Sequence, residues 1–301
     1  MGTKSWATLC ASGSEVTASP FLKWAGGKKQ LLSAITPYIE STLLEGKYIE
    51  PFLGGGAVFF SLKPKSAILG DRNEALIRTY RTVKDRCEEL IPKLEALPRR
   101  TTKAEYVHLR HEYNQLQAAN GALTRERELK LSALFIWLNH QCFNGLYRVN
   151  QAGEFNVPFG RYVHPSIYSE DSLRAASRAL RRAGAVLMAS DFEQTLELAA
   201  PGDVIYLDPP YVPISLTSSF TSYTERGFGA RDQVRLANLV HQLAGRGVHV
   251  VLSNSSTESA RSLYADMTQV QVSARRAINC VGSKRGQVAE LVVLSDGVTV
   301  T

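Results

Sequence analysis

The chain has 301 residues, 44% of them apolar and 21% charged, which is typical of a globular enzyme with one large domain or two unequal ones. No apolar run reaches the roughly 18 residues of a membrane span, and residues 1–20 lack the apolar core of a secretory signal, so we expect neither kind of segment. A net charge of +7 favours a polyanionic partner, although many basic proteins bind no nucleic acid.

The cysteines and histidines do not indicate a metal site. The cysteines lie far apart and lack the close spacing of a zinc site, a pattern typical of reduced thiols in a cytosolic protein. His108 and His111 share a predicted helix face but have no acidic or cysteine partner there. We therefore predict no bound metal. The four cysteines are Cys10, Cys87, Cys142 and Cys280.

Two strand–turn–helix units follow residues 1–20, which we expect to form a flexible extension. The first is "YIEPFLGGGAVFFSL" (48–62), a short strand, three glycines and an apolar helix. The second has a strand ending near Leu69, an acid at Asp71 and a helix from about Asn73. Successive units of this kind predict the start of a doubly wound α/β sheet.

The middle of the chain changes character. Residues 74–140 carry apolar residues at helical spacing, and 74–184 are predicted to form an inserted helical domain. Within it, "NGLYRVNQAGEFNVPFGRY" (144–162) has two glycine turn signals and predicts a hairpin or an ordered loop. Strand–turn units return in 185–301, with helices predicted at 231–245 and 257–265 and an antiparallel strand at the end. Segments 21–73 and 185–301 are thus expected to share one domain.

The turns after the first two strands are candidate ligand contacts. Glycines in "EPFLGGG" allow the backbone to approach a ligand at the carboxyl edge of the sheet, but their spacing is not that of a dinucleotide loop and a plain turn is the alternative. Asp71 is placed to accept hydrogen bonds from ribose hydroxyls, or else to cap a helix. The segment "FLKWAGGKKQLL" (21–32) does not match the phosphate loop that binds nucleoside triphosphates. Its residues alone do not decide whether it binds a ligand.

The stretch "DVIYLDPPYVP" (203–213) has the most specific pattern. Prolines end the strand abruptly, directly after Asp208. The exocyclic amine of a base is a poor nucleophile, and two acceptors aimed at its hydrogens, the Asp208 carboxylate and the Pro209 carbonyl, would free its lone pair. Tyr211 offers a flat face for stacking, and Pro210 makes the turn rigid. The alternative is a strand-end turn with a coincidental tyrosine.

Together these motifs resemble the DNA adenine methyltransferase (Dam) family, over nearly the whole chain from Phe21 to Leu294. The matching stretches are "FLKWAGGK", "EPFLGGGAVF", the hairpin segment, "DPPY" and "RRAINCVGSKRGQVAELVVL". The resemblance implies an S-adenosylmethionine-dependent methyltransferase (Rossmann-like) α/β fold, with a mostly parallel seven-stranded sheet and an inserted DNA-recognition domain. It also implies S-adenosylmethionine as cofactor and S-adenosylhomocysteine as product, without a metal.

The resemblance assigns roles by position. Catalysis is implied for Asp208, Pro209, Pro210 and Tyr211. Cofactor binding is implied for Trp24, Lys28, Pro51, Phe52, Gly54, Gly56, Asp71, Asp191, Phe192 and Asp208, with Asp71 at the ribose, and Asp191 and Phe192 at the adenine. Binding of duplex DNA is implied for Lys23, Phe143, Asn144, Leu146, Arg148, Asn150, Pro158, Arg161 and Tyr162.

The implied activity is methylation of N6 of adenine in double-stranded DNA, within GATC, by base flipping and direct displacement. Arg148 suits bidentate reading of guanine, and Phe143 replaces an aromatic wedge of the family. His140, Gln141 and Cys142 stand where the family often has Arg, an aromatic and Gly. We expect a cytoplasmic, nucleoid-associated protein of a bacterium or a phage; the sequence is compatible with a monomer but does not determine the oligomeric state.

Three alternatives share parts of this pattern. An RNA adenine-N6 methyltransferase would use the same Asp-Pro-Pro-Tyr chemistry, but the hairpin argues against it. A protein-glutamine methyltransferase usually has Asn in place of Asp208. The third alternative is a DNA-binding regulator without enzymatic activity. The intact cofactor and catalytic motifs argue against it.

Overall fold

The computed structural model describes residues 16–24, 26, 31–162, 168–211, 228–275 and 287–298. Its helices are α1 (Leu32–Glu40), α2 (Ala57–Leu62), α3 (Glu74–Glu95), α4 (Lys103–Ala118), α5 (Arg125–Gln141), α6 (Glu170–Arg182), α7 (Phe192–Leu196), α8 (Ala230–Gly245) and α9 (Glu258–Leu263). Its strands are β1 (Tyr48–Glu50), β2 (Ala67–Asp71), β3 (Val186–Ala189), β4 (Val204–Leu207), β5 (His249–Ser255), β6 (Thr268–Arg275) and β7 (Gln287–Leu294).

The seven strands form one sheet in the order β3-β2-β1-β4-β5-β7-β6. Strands β1 to β5 pair in parallel, whereas β7 is antiparallel to both β5 and β6. The predicted mostly parallel, seven-stranded α/β sheet is confirmed. The strand order reverses between β1 and β4, and ligands of open α/β sheets bind at the carboxyl ends of strands at such a point.

Helices cover both faces of this sheet, because alternate strand residues point to opposite sides. Tyr48, Tyr206 and Val251 join a core that extends into α1 to α6. Ile49 and Ile205 join a second core, packed against α7, α8 and α9. The strands are therefore apolar on both faces, as expected for buried parallel strands.

The long connection between β2 and β3 carries the predicted helical segment. Asn73 caps α3 by accepting a hydrogen bond from the Leu76 N–H, and α3 leaves helical geometry at Arg86. Thr82 of α3 bonds to Ser132 of α5 across 2.9 Å. The apolar core of these helices is continuous with one face of the sheet. The boundaries of an inserted domain at 74–184 stay a prediction.

Most predicted elements lie close to their expected positions. The helices predicted at 231–245 and 257–265 correspond to α8 and α9, and the final antiparallel strand corresponds to β7. Strand β2 continues to Asp71 rather than ending near Leu69, because Asp71 still pairs with Ala189 of β3. Among the described residues, no helix combines the length and the apolar character that crossing a bilayer requires.

Some predictions fall on residues that the structure does not describe. Most of the expected N-terminal extension (residues 1–15) lies outside the described residues, as do Lys28, Cys10 and Cys280. Residues 16–20 form neither helix nor strand. Cys87 and Cys142 are buried free thiols.

Candidate active site

The glycine loop after β1 lies against the end of β2. The N–H of Gly54 donates to the Asp71 carboxylate at 3.0 Å, and the N–H of Leu53 donates to the carbonyl of Gly70 at 2.8 Å. Gly54 has a φ of +48°, and a Cβ there would lie 2.7 Å from the Trp24 ring. Only glycine meets both demands without strain. The loop backbone therefore packs closely against Trp24 at the sheet edge.

Asp71 does not cap a helix. Its carboxylate accepts from the N–H of Gly54 and, at 2.9 Å, from the N–H of Asn73, and Asn73 itself caps α3. Burial raises the pKa of Asp71 above its usual value, against the opposing effect of these two hydrogen bonds. This geometry removes the capping alternative and orients the carboxylate beside the glycine loop.

Trp24 connects the glycine loop to the predicted hairpin. Its ring stacks on the ring of Tyr147, with centroids 6.3 Å apart and an interplanar angle of 18°. Gly56 caps α2 with a φ of +66°, and the Tyr80 hydroxyl would lie 2.8 Å from a Cβ there. Pro51 at the start of the loop is buried. Trp24 thus packs between the glycine loop and Tyr147 of the hairpin segment.

A second aromatic group lies beyond β3, where Phe192 begins α7. The Phe192 ring packs 5.7 Å from Phe52 and 5.8 Å from Phe228, and the Arg235 guanidinium lies 5.0 Å from its centroid. Arg235 also reaches Asp191 at 3.3 Å. The structure brings the predicted Phe52, Asp191 and Phe192 together. Phe228 and Arg235 had no local sequence signal, because they belong to a distant part of the chain.

The Asp-Pro-Pro-Tyr turn begins at the carboxyl end of β4, a fully buried strand. The Ser253 hydroxyl of β5 donates to the Asp208 carboxylate at 3.3 Å and also bonds to Tyr206 at 3.0 Å. On the other side of the sheet, the Gln233 amide of α8 donates to the Pro210 carbonyl at 2.8 Å. The turn is therefore held from both faces of the sheet.

Two buried carboxylates near this turn were missed in the sequence. Glu50, 2% exposed, accepts from the Tyr48 hydroxyl at 2.8 Å, and Glu290, 8% exposed, accepts from the Tyr211 hydroxyl at 2.6 Å. Burial raises the pKa of Glu50 to about 8, opposed by the Tyr48 hydrogen bond and supported by the charge of Asp208. A Glu at the end of an apolar strand was the available signal for Glu50.

The predicted hairpin is present as an irregular pair of extended segments. Isolated bridges join Cys142 to Phe159 and Val149 to Phe155. Asn150 closes the turn, because its N–H donates to the Glu154 carbonyl and its side chain accepts from the Glu154 N–H, both at 2.9 Å.

The predicted base-reading residues lie along this hairpin. Arg148 is exposed, and its guanidinium donates from Nε to the Asn156 side chain at 2.7 Å. Phe143 is 45% exposed, as a wedge into a duplex requires. Leu146 is half-buried, while Pro158 and Arg161 are exposed.

Lys23 lies at the base of the hairpin. The Asn139 side chain accepts from the Lys23 N–H at 2.8 Å and donates to the carbonyls of Lys23 at 2.7 Å and Gly145 at 3.1 Å. The Lys23 ammonium lies 4.4 Å from the Tyr162 ring centroid, and the Tyr162 hydroxyl accepts from the Asn144 N–H. Burial lowers the pKa of Lys23. Residues far apart in sequence thus form one surface.

The sequence also matches known proteins. Residues 24–278 match the family model of D12 class N6 adenine-specific DNA methyltransferases. The chain belongs to this family. This membership confirms the predicted resemblance and the predicted class of enzyme, an adenine-specific DNA methyltransferase. It also implies S-adenosylmethionine as the methyl donor and DNA as the substrate.

Several relatives in this family cover most of the chain. The chain is 40% identical to the Type II methyltransferase M1.LlaDCHI of Lactococcus lactis subsp. cremoris, over 94% of this chain and 97% of that protein. It is 36% identical to the DNA adenine methylase of Serratia marcescens, over 91% of this chain and 97% of that protein. It is 37% identical to the DNA N-6-adenine-methyltransferase of Escherichia phage P1, over 88% of this chain and 34% of the phage protein.

Helix α4 supports the hairpin of this methyltransferase. Tyr106 and Arg110 donate to the Val157 carbonyl at 2.8 and 3.2 Å, and Asn114 exchanges two hydrogen bonds with the backbone of Phe155. The three α4 residues are four apart and so share one helix face. The sequence shows only that these residues share a helix face, and their partner, the hairpin backbone, is given by the structure.

Replacement of Asn139 by alanine should destabilise the protein. Asn139 is 4% exposed, and its loss leaves one N–H and two carbonyls without this partner. Unsatisfied buried groups of this kind cost about 1–3 kcal/mol each, so we expect a loss of about 3 kcal/mol in the free energy of unfolding by urea. The exposed Asn120 is the matched control. A loss below about 0.5 kcal/mol would show that the three Asn139 hydrogen bonds do not stabilise the fold.

Proposed function

We propose that this protein transfers a methyl group from S-adenosylmethionine to N6 of adenine in double-stranded DNA, within GATC, after the adenine has left the base stack. The observation that carries the proposal is the position of Asp208 and Tyr211. They follow β4 at the point where the strand order reverses, next to the glycine loop after β1. Family membership supports the reaction class. The resemblance of the hairpin to that of the Dam family supports GATC as the DNA sequence that is methylated.

The residues at the sheet edge suit the cofactor. Gly54 and Gly56 adopt positive-φ conformations that favour glycine, and they shape a loop at the carboxyl edge of the sheet, where a cofactor would lie. The Asp71 carboxylate is oriented by two N–H groups and suits the ribose hydroxyls. Further proposed contacts are Trp24, Lys28, Pro51, Phe52, Asp191 and Phe192. When bound, S-adenosylmethionine supplies a methyl group already activated by the sulfonium charge.

The Asp-Pro-Pro-Tyr turn would hold the target base. Asp208 and the Pro209 carbonyl accept hydrogen bonds from the amine and draw it toward tetrahedral geometry, which frees its lone pair for in-line attack. Tyr211 stacks on the ring of the adenine. Gln233 holds the Pro210 carbonyl at 2.8 Å and keeps the turn in place. This is catalysis by positioning and electrostatics, with no covalent intermediate on the protein.

DNA recognition would use the surface that joins Lys23 to the hairpin. Arg148 is exposed, and Asn156 holds its guanidinium by accepting from Nε at 2.7 Å and from Nη2 at 3.1 Å, so a guanine edge would meet Nη1 and the remaining hydrogen of Nη2. Phe143, Asn144, Leu146, Asn150 and Pro158 would line the same contact, with Arg161 and Tyr162 beside Lys23. We further propose a monomer acting on DNA in the bacterial cytoplasm, at the nucleoid.

Transfer of a tritiated methyl group from S-adenosylmethionine tests the function. The substrates are duplexes with GATC, duplexes with one base of the site changed, and RNA of the same sequence. We expect label in the GATC duplex alone. Equal labelling of all duplexes would reject the site, and labelling of RNA alone would reject the substrate class. Duplex binding without any labelling would favour the inactive regulator.

Replacement of Arg148 by alanine should relax the choice of one base pair. Loss of a bidentate arginine contact costs about 1–3 kcal/mol, so transfer to the correct duplex should fall about 10- to 100-fold while transfer to duplexes changed at that pair stays the same. The comparison is the ratio of kcat/KM values. Arg182, exposed at the end of α6, is the matched control. An unchanged ratio would remove Arg148 from base reading.

A further inference from the structure

Glu290 lies in an apolar strand at the centre of the sheet's antiparallel side. It pairs with Ser255 of β5 and with Val272 of β6. Alternate residues of β7 share a face, and Val292 and Leu294 on the same face as Glu290 are buried in the core. An apolar residue would fill this position at lower cost, because a buried carboxylate needs compensating hydrogen bonds.

The compensating partner is the tyrosine of the catalytic turn. The Tyr211 hydroxyl donates to Glu290 Oε2 at 2.6 Å, the short distance of a charge-assisted hydrogen bond. Burial raises the pKa of Tyr211, and the charges of Asp208 and Glu290 raise it further. The hydroxyl therefore keeps its proton near neutral pH and can donate it to Glu290. The contact joins residues 79 positions apart in the chain.

This hydrogen bond restrains the tyrosine ring at the end opposite its Cβ. With the backbone next to the ring held by Gln233 on the other face of the sheet, both ends of Tyr211 are constrained. We propose that Glu290 is a positioning residue for methyl transfer, which holds the Tyr211 ring as a platform for the extrahelical adenine. This proposal rests on the proposed function, because only an adenine methyltransferase places an extrahelical adenine on the Tyr211 ring.

The expected change in the methylation rate depends on whether each Glu290 variant keeps an acceptor for the Tyr211 hydroxyl. Glu290→Leu removes the acceptor but matches the apolar neighbours, and it should slow single-turnover methylation of the GATC duplex about 10- to 30-fold. Glu290→Gln keeps an acceptor oxygen and should retain most of the rate. The affinity for S-adenosylmethionine, measured by equilibrium dialysis, should change less than about 2-fold in both variants, because Glu290 acts on the base platform.

A double-mutant cycle with Tyr211→Phe separates positioning from a general structural role. Phe keeps the stacking ring but has no hydroxyl, so Tyr211→Phe should itself slow transfer about 10-fold. In the Tyr211→Phe background, Glu290→Leu should cost less than about 2-fold. Equal losses from Glu290→Leu in both backgrounds would overturn the proposal, as would a Tyr211→Phe variant with the rate of the wild type.

The mobility of the flipped base is a second readout. With 2-aminopurine in place of the target adenine, time-resolved fluorescence anisotropy should show a faster local motion in Glu290→Leu than in the wild type. Unchanged motion would also overturn the proposal. Melting temperatures check that each variant is folded. If Glu290→Leu does not fold, the rate of Tyr211→Phe alone tests the role of the hydrogen bond. A wild-type protein that labels no DNA would instead reject the proposed function.

Discussion

Replacement of Asp208 by alanine should lower the single-turnover rate of methyl transfer by about 10²- to 10³-fold and leave duplex binding within about 3-fold. The carboxylate is the proposed acceptor that draws the target amine toward tetrahedral geometry, and removal of one such preorganised group typically costs 10²- to 10³-fold. Ser253 donates to this carboxylate and keeps it oriented. Asp208→Ala leaves the hairpin and Lys23 in place, which is why binding should persist.

The rate is measured by rapid quench with excess protein, and binding by fluorescence anisotropy of a labelled duplex. Asp208→Asn is the informative intermediate, because its amide oxygen still accepts one hydrogen bond, and we expect it to lose about 10- to 100-fold. Asp266, on the exposed loop after α9 with its side chain 73% exposed, is the matched control. Substantial turnover in Asp208→Ala would show that the amine is held by another group.

The contribution of Glu50 to stability should fall as the pH rises from about 4.5 to about 8. The pKa of Glu50 is raised from 4.5 to about 8 by burial, so the folded protein keeps a proton that the unfolded chain has lost. The stabilising contribution is complete below pH 4.5 and is lost as the pH rises through about 8, by about 1.4 kcal/mol for each pH unit in that window.

Glu50→Gln isolates this effect, because glutamine is neutral at every pH and has nearly the same shape. Urea unfolding at several pH values should give a wild-type free energy that falls relative to the variant across the window, and a constant difference above about pH 8. Tyr48 can still donate to the amide oxygen of the variant, so the fold should persist. Parallel curves for the two proteins between pH 5 and 8 would contradict the assignment.

The fold and family were predictable because the decisive signals are local. Glycines with positive φ, such as Gly54 and Gly56, leave a mark in the sequence since other residues are strained there. Prolines after a buried run predicted where β4 ends. The predicted strand–turn–helix units placed Asp71 and Asp208 at strand ends, where the structure has them. The roles of these residues in binding and catalysis remain predictions.

The supporting contacts were not predictable, because they join residues distant in the chain. Tyr211 and Glu290 are 79 positions apart, and Lys23 and Asn139 are 116 apart. The sequence left open whether Asp71 caps a helix or accepts hydrogen bonds from a ribose, since both uses place an acid before a helix. Asn73, two residues later, proved to be the cap of α3.

The sequence by itself therefore determined the sheet class, the order of the motifs and the chemistry that the Asp-Pro-Pro-Tyr turn can offer, because each depends on backbone preferences within a few residues. The tertiary structure alone decided which groups hold that turn. Ser253 and Glu290 reach it from one face of the sheet, and Gln233 reaches it from the other. Strand order and register bring these side chains together, and no local pattern encodes either one.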